Sequence, residues 1–277
     1  MRFGISTHLY HDQRLTRDHL AEVVSYGFEA VELFATRSHF DYHDDASIAS
    51  LKTWLRETGL VLHGIHAPIV DRMGPGDQWG APYSNAVTDG ATRQAAVRET
   101  DAALNVARHI ETAVLVVHLG TPAAQGGENN RGAAVRSAEE ICRLAEPIGI
   151  RVAVEVIPND LSGAASLVSL VERELEGLPA GICLDFGHAF LLGDVPDAVE
   201  TAAEHVITTH VHDNHGRTDD HLVPFDGRID WNGALVTMQK IGYDGTYLME
   251  LANTSTPAAV LDAARHAREK FEKLLHL

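Results

Sequence analysis

The chain has 277 residues, 45% of them hydrophobic, which suits one domain with a sizeable core and excludes a small scaffold that needs staples. With 22 Lys and Arg against 39 Asp and Glu, the formal charge is −17, so nucleic acid is not an expected partner. The two cysteines, Cys142 and Cys183, form neither a metal-type spacing nor a disulfide framework, and a reducing cytoplasm is the expected compartment.

Met1-Arg2-Phe3-Gly4-Ile5-Ser6 lacks the apolar stretch of a signal peptide, and no run reaches the length of a membrane span. Short apolar runs then recur along the chain. They lie at Arg2 to Ser6, Ala30 to Phe34, Leu60 to Ile65, Ala113 to Val117, Ile150 to Val156, Ala180 to Leu184, Val206 to Val211 and Thr246 to Leu251. Several are apolar on both faces, as strands of a buried parallel sheet are.

Segments of helical period separate them. Thr16 caps a helix carrying Leu20, Val23 and Val24 that stops at Gly27, and Ile48, Leu51 and Leu55 share a face that ends at Gly59. A long helix is expected from about Thr92 to His109, and others around Val135 to Cys142 and Leu167 to Val171. Pro196 suits a first helical turn, Leu235, Met238 and Ile241 precede Gly242, and a last helix runs from about Pro257. Eight strand–helix units predict a single (β/α)8 TIM barrel over residues 1–277. A doubly wound open sheet would carry a Gly-rich turn after its first strand, where Ser6-Thr7-His8-Leu9-Tyr10 stands instead. The irregular stretch Val70 to Gly90, with Trp79 and Tyr83, is either a lid over the barrel mouth or a surface excursion.

Histidine is the unusual residue, 17 against 8 Phe and 6 Tyr. The third to eighth runs end, in order, at His66, His118, Glu155, Asp185 with His188 after it, His210 with His212 and Asp213 after it, and Glu250. Barrel strand ends share one rim, so these groups converge although they are distant in sequence. Burying several carboxylates together is costly without a cation, which predicts a bound divalent metal. Glu155, Asp185, His210 and Glu250 offer three oxygens and a nitrogen, suited to Mn2+ or Mg2+ and open to Co2+ or Zn2+. His66 and His118 could hold a second ion with Glu155 bridging, and His188, Asp219 and His221 a third, for one to three ions in all. His8, His63 and His212 are read as ordinary satisfied polar groups and His215 as surface.

With these residues go His66-Ala67-Pro68, Val117-His118-Leu119-Gly120, Leu184-Asp185-Phe186-Gly187-His188-Ala189, His210-Val211-His212-Asp213-Asn214, Asp219-Asp220-His221 and Ile229-Asp230-Trp231. Together they make the whole chain resemble the xylose isomerase-like barrel superfamily, which includes tagatose epimerase, inosose dehydratase, hydroxypyruvate isomerase and the endonuclease IV family. In the isomerase and epimerase members, the positions of Glu155, Asp185, His210 and Glu250 bind one metal. The resemblance implies that Glu155 and Glu250 also move protons, next to a carbonyl whose enediolate the metal stabilises. It further implies that His188 and Arg217 contact substrate oxygens.

In the endonuclease IV branch nine positions hold three zinc ions, and this chain has a candidate at each: His66, His118, Glu155, Asp185, His188, His210, Asp219, His221 and Glu250. Against that branch stand the acidic charge and the loop Ala67-Pro68-Ile69-Val70, unlike its DNA-penetrating loop. Its Gly-Glu-Gly is Phe225-Asp226-Gly227 here. The function expected first is therefore a metal-dependent isomerase or epimerase of a sugar, sugar phosphate or polyol. A related keto-polyol dehydratase and a multinuclear phosphoesterase are the alternatives, and a sugar binder without turnover would not need two opposed glutamates. A small carbohydrate is the expected partner, no membrane is, and a homo-oligomer is in keeping with barrels that pair.

Overall fold

The computed structural model describes residues 2–74 and 78–276. Eight strands form its frame: β1 (Arg2–Ser6), β2 (Ala30–Phe34), β3 (Val61–His66), β4 (Val114–Val117), β5 (Arg151–Glu155), β6 (Ala180–Asp185), β7 (Val206–Val211) and β8 (Thr246–Met249). They close into one barrel in chain order, with β8 pairing β1 and neighbours parallel throughout. Closure excludes the open doubly wound sheet.

Between and after the strands run α1 (Arg17–Ser25), α2 (Asp45–Thr58), α3 (Gly90–His109), α4 (Arg131–Ala145), α5 (Ala164–Ser169), α6 (Phe186–Leu192), α7 (Val195–Ala202), α8 (Trp231–Lys240) and α9 (Pro257–Leu274). Local chemistry fixes their ends. Asp44 accepts from the amides of Ala46 and Ser47 at the start of α2, and Gly59 ends that helix in the left-handed region at φ 76°. Asn130, Asp194 and Thr256 cap α4, α7 and α9 in the same way. The helix expected around Leu167 to Val171 is split: α5 gives way to a π-turn over Leu170–Glu174. No helix among the described residues is long and apolar enough to cross a membrane.

The barrel wall has two unlike faces. Val152 and Val154 of β5 and Ile182 and Leu184 of β6 point outward and join the main core with Leu104, Ile141 and Leu167 from the helices. Inside, Val116, Ala153 and Cys183 make a separate small cluster with Ile207. Side chains alternate along a strand, so the next inward positions after Val116, Ala153 and Cys183 are His118, Glu155 and Asp185. The period of the strands thus sets a polar layer on an apolar floor, at the C-terminal end of the barrel.

The irregular stretch after β3 folds back towards that end. Met73–Gly74 pairs antiparallel with Gln78–Trp79, and Val70 bridges to Pro82. Val70 and Met73 are buried against Phe34 of β2. Of the two expectations for Val70 to Gly90, the lid is the one this packing matches; residues 75–77 lie outside the described residues.

Candidate active site

The polar layer is built around Glu155, which is fully buried at the end of β5. Its Oε1 lies 3.0 Å from His210 Nδ1. Its Oε2 lies 3.0 Å from His118 Nε2 and 3.3 Å from His66 Nε2, yet no donor among the described residues is aligned to hydrogen-bond with it. A buried carboxylate oxygen left in this way has a lone pair free for a cation, since an unsatisfied buried acceptor is otherwise costly. His210 Nδ1 also stands 3.4 Å from Glu250 Oε2 and 3.9 Å from Asp185 Oδ2. Ligand atoms of Glu155, Asp185, His210 and Glu250 all lie within 4.8 Å of one another, and so do those of His66, His118 and Glu155. Among the described residues no Lys or Arg side chain is paired with these carboxylates; the side chains that face them are imidazoles.

A second group sits beside the first. His188 Nε2 is 2.9 Å and His221 Nε2 3.1 Å from Asp219 Oδ2, and His212 Nε2 is 3.8 Å from Asp219 Oδ1. The Nδ1–H of His188 donates to the Val156 carbonyl and that of His221 to the Glu250 carbonyl, each at 3.0 Å. Those bonds orient both rings so that Nε2 faces Asp219. His212 stacks on His221 with centroids 4.1 Å apart and reaches Asp185 Oδ2 at 3.0 Å. His212, expected to be an ordinary polar group, has that partner and also stands with His188, Asp219 and His221, whose ligand atoms lie within 4.8 Å of one another. The signal was the spacing: in His210-Val211-His212 the period of two puts both rings on the inward face.

The loop that carries Asp219 and His221 is held by Asp213. Its Oδ1 accepts from the amides of Asn214, Arg228 and Ile229, and its Oδ2 from the amide of Phe225 and the indole of Trp231. Asp213 is thus a latch and not a ligand. His221 takes a positive φ of 45°, uncommon for a residue with a Cβ. Its carbonyl accepts from Ala252 N, and next to it Leu222 pairs with Asp213.

Burial drives the carboxyls of Glu155 and Asp185 towards their neutral form, and the imidazoles reverse that. Burial raises the Glu155 carboxyl, but His210 and His118 outweigh it and hold it well below the usual range. Asp185 is likewise pushed up by burial and pulled lower by His188 and His212. Burial lowers His66, but Glu155 raises it to about 8; burial lowers His221, but Asp219 raises it to about 10. Without a metal, Glu155 and Asp185 are therefore held ionised, and His66 and His221 hold protons more tightly than a free imidazole. A divalent cation would displace those protons.

A cavity of roughly 610 Å3, counted to its open mouth, lies over the layer. His66, His118, His188, Asp219, His221 and Glu250 line it, and Phe34, Ile69, Val70, Trp79 and Tyr83 form an apolar wall. His8, expected to be an ordinary polar group, also lines it, while its Nδ1 lies 3.2 Å from the Leu251 carbonyl. His63 fits its expectation, 2.9 Å from Thr208 Oγ1, and His215 is exposed. Arg217 is exposed on its loop and is not among the cavity-lining residues. All the other expected site residues come together. Among the described residues, a further buried carboxylate of the interior that is not an expected site residue is Glu32 of β2, 3.1 Å from His210 Nε2. Its signal was a lone charge inside an otherwise apolar run, Ala30-Val31-Glu32-Leu33-Phe34.

Among proteins of known sequence, the chain is 28% identical over 267 residues to an uncharacterized protein of Methanocaldococcus jannaschii, covering 91% of this chain and 84% of that one. Among solved structures it is similar to a D-tagatose 3-epimerase-like protein, with a TM-score of 0.83 at 22% identity over 100% of this chain and 98% of that chain. It is also similar to the IolI protein with a bound zinc atom, with a TM-score of 0.81 at 15% identity over 100% of both chains. The family model described as xylose isomerase-like TIM barrel matches residues 20–274, and the chain belongs to that family.

Proposed function

We propose that the protein is a metal-dependent isomerase or epimerase of a small carbohydrate. The observation that carries this reading is the convergence of Glu155, Asp185, His210 and Glu250 within 4.8 Å beneath a cavity. Three carboxylates and an imidazole, buried with no lysine or arginine partner, are a donor set for a hard or borderline divalent cation such as Mn2+, Mg2+, Co2+ or Zn2+. Such an ion supplies stabilisation of the negative charge that develops on neighbouring substrate oxygens. Glu250 lines the cavity and is the carboxylate best placed to take or return a proton at a carbon next to a carbonyl. Glu155, buried below it and held ionised by His210 and His118, is the second proton carrier and a ligand. His188 lines the wall and can donate to a substrate hydroxyl.

Among the described residues no Lys or Arg lines the cavity, and its far wall is aromatic and aliphatic. That favours an uncharged hydroxylated substrate with one apolar face over a phosphorylated one. The name of one structural neighbour, a D-tagatose 3-epimerase-like protein, is in keeping with a sugar substrate. The test is solvent exchange: metal-loaded protein in D2O, incubated with a panel of keto-sugars, should place deuterium at the carbon beside the carbonyl, read by NMR. No exchange with any of them, together with hydrolysis of a phosphodiester, would overturn the reading.

A multinuclear phosphoesterase is the second reading. It is favoured by His66 and His118 on the free oxygen of Glu155 and by the separate group of His188, His212, Asp219 and His221. Ions held by those residues would supply charge stabilisation to a phosphoester undergoing hydrolysis. The number of ions per chain separates the two readings.

A further inference from the structure

Of the two ring nitrogens of His210, Nδ1 faces the carboxylates, 3.0 Å from Glu155 Oε1 and 3.4 Å from Glu250 Oε2. The other nitrogen, Nε2, points across the barrel interior to Glu32 Oε2 at 3.1 Å. We infer that Glu32 is a positioning residue for this centre: it holds the Nε2–H of His210, and so fixes Nδ1 as the nitrogen presented to the ion.

Four observations carry this. Glu32 is fully buried in the middle of β2, where a carboxylate is costly unless it is hydrogen-bonded and compensated. Its Oε1 accepts from Ser6 Oγ at 3.1 Å, and that hydroxyl in turn accepts from His8 N at 3.3 Å, so the carboxylate cannot turn away from His210 without losing a bond. The register of β2 against β3 shifts between Val31 and Glu32, an irregularity of the kind that re-aims a side chain. Opposite Glu32 stands Gly64, where a Cβ would lie 3.4 Å from Glu32 Oε2 and 3.0 Å from Val114 Cγ2. The neighbouring strand thus leaves room for the carboxylate.

The consequence concerns the ring more than the fold. An imidazole that donates one N–H to a carboxylate presents its other nitrogen as a lone pair, in a fixed direction and with raised basicity. Glu155, Asp185 and Glu250 supply the charge at the centre, and Glu32 supplies the aim of the imidazole among them. Glu32 does not line the cavity, so it acts through His210 and not on a substrate.

This inference rests on the metal reading above, and the experiment keeps the two apart. The metal-free protein is titrated with Co2+, following visible absorption of the bound ion, for the wild type, Glu32→Gln and Ser6→Ala. Glu32→Gln should weaken Co2+ binding about 10-fold or more, because the amide oxygen can still accept from the Nε2–H but the charge that raises the basicity of Nδ1 is gone. Ser6→Ala, which removes one bond from Glu32 and leaves His210 paired, should weaken binding by about 2- to 3-fold and answers the question if Glu32→Gln fails to fold. Wild-type affinity in a folded Glu32→Gln protein would overturn the role of Glu32 alone. No Co2+ binding by the wild type would overturn the metal reading and this inference with it.

Discussion

Two buried carboxylates on either side of the barrel rim are satisfied in opposite ways. Asp213 accepts from four backbone amides and the Trp231 indole, so both its oxygens are saturated by the protein itself. Glu155 is surrounded by His66, His118, His188 and His210, and its Oε2 has no aligned donor among the described residues. The first arrangement is complete as it stands and ties a loop. The second leaves a carboxylate oxygen free for the proposed cation. The lesson is that burial and charge do not identify a site residue; the identity of the donors does. Fixed N–H groups make an anchor, and titratable rings that can give up a proton make a centre for a ligand.

Substitutions should separate the two. At the centre, Glu155→Gln and Glu250→Gln should each lower kcat at least about 10^3-fold while the far-UV spectrum stays near that of the wild type. An active Glu250→Gln protein would contradict its assignment as a proton carrier. At the anchor, Asp213→Asn places an amide group where five donors converge, and should cost roughly 3 kcal/mol of stability, measured as a lowered denaturation midpoint. Wild-type stability in that variant would break the comparison from the other side. His66→Ala should lower the metal count only if a second ion sits between His66, His118 and Glu155, so elemental analysis of that variant decides between one ion and several.

The smallest expected effect is in pH. His66 and His221 are raised in the fold to about 8 and about 10, above the ordinary imidazole value of about 6.5. Their contribution to the stability of metal-free protein is complete below pH of about 6.5 and is lost as pH rises through 8 and 10. Glu155 and Asp185 are lowered, so their contribution is present above the ordinary carboxyl range and is lost as pH falls below it. Melting of the metal-free protein should therefore be highest in mildly acidic solution and decline towards pH 10. Metal-loaded protein should not show that alkaline decline, because its ligands have already given up their protons.

Much of this was legible in the sequence, for particular reasons. The eight apolar runs mark the strands because their outward residues, such as Val152, Val154, Ile182 and Leu184, must meet the helices. The residue closing each run marks the rim, and so His66, His118, Glu155, Asp185, His210 and Glu250 converge as expected. Groups whose role depends on a partner across the barrel were not legible. Glu32 gains its meaning from His210, 178 residues away. His212 gains its meaning from Asp219 on a loop whose path Asp213 sets. Arg217, placed near the substrate by resemblance, belongs to the exposed part of that same loop, where chain length and not strand period decides position.

The central claim is that the histidine-lined carboxylates await a cation, and metal content per chain tests it most directly. The measurement is elemental analysis of untagged protein purified without chelator, before and after soaking in Mn2+, Co2+ or Zn2+. At least one tightly held divalent ion per chain is predicted, lost in the Glu155→Gln protein and kept in Asp213→Asn. A chain that retains no metal even after soaking would contradict the account.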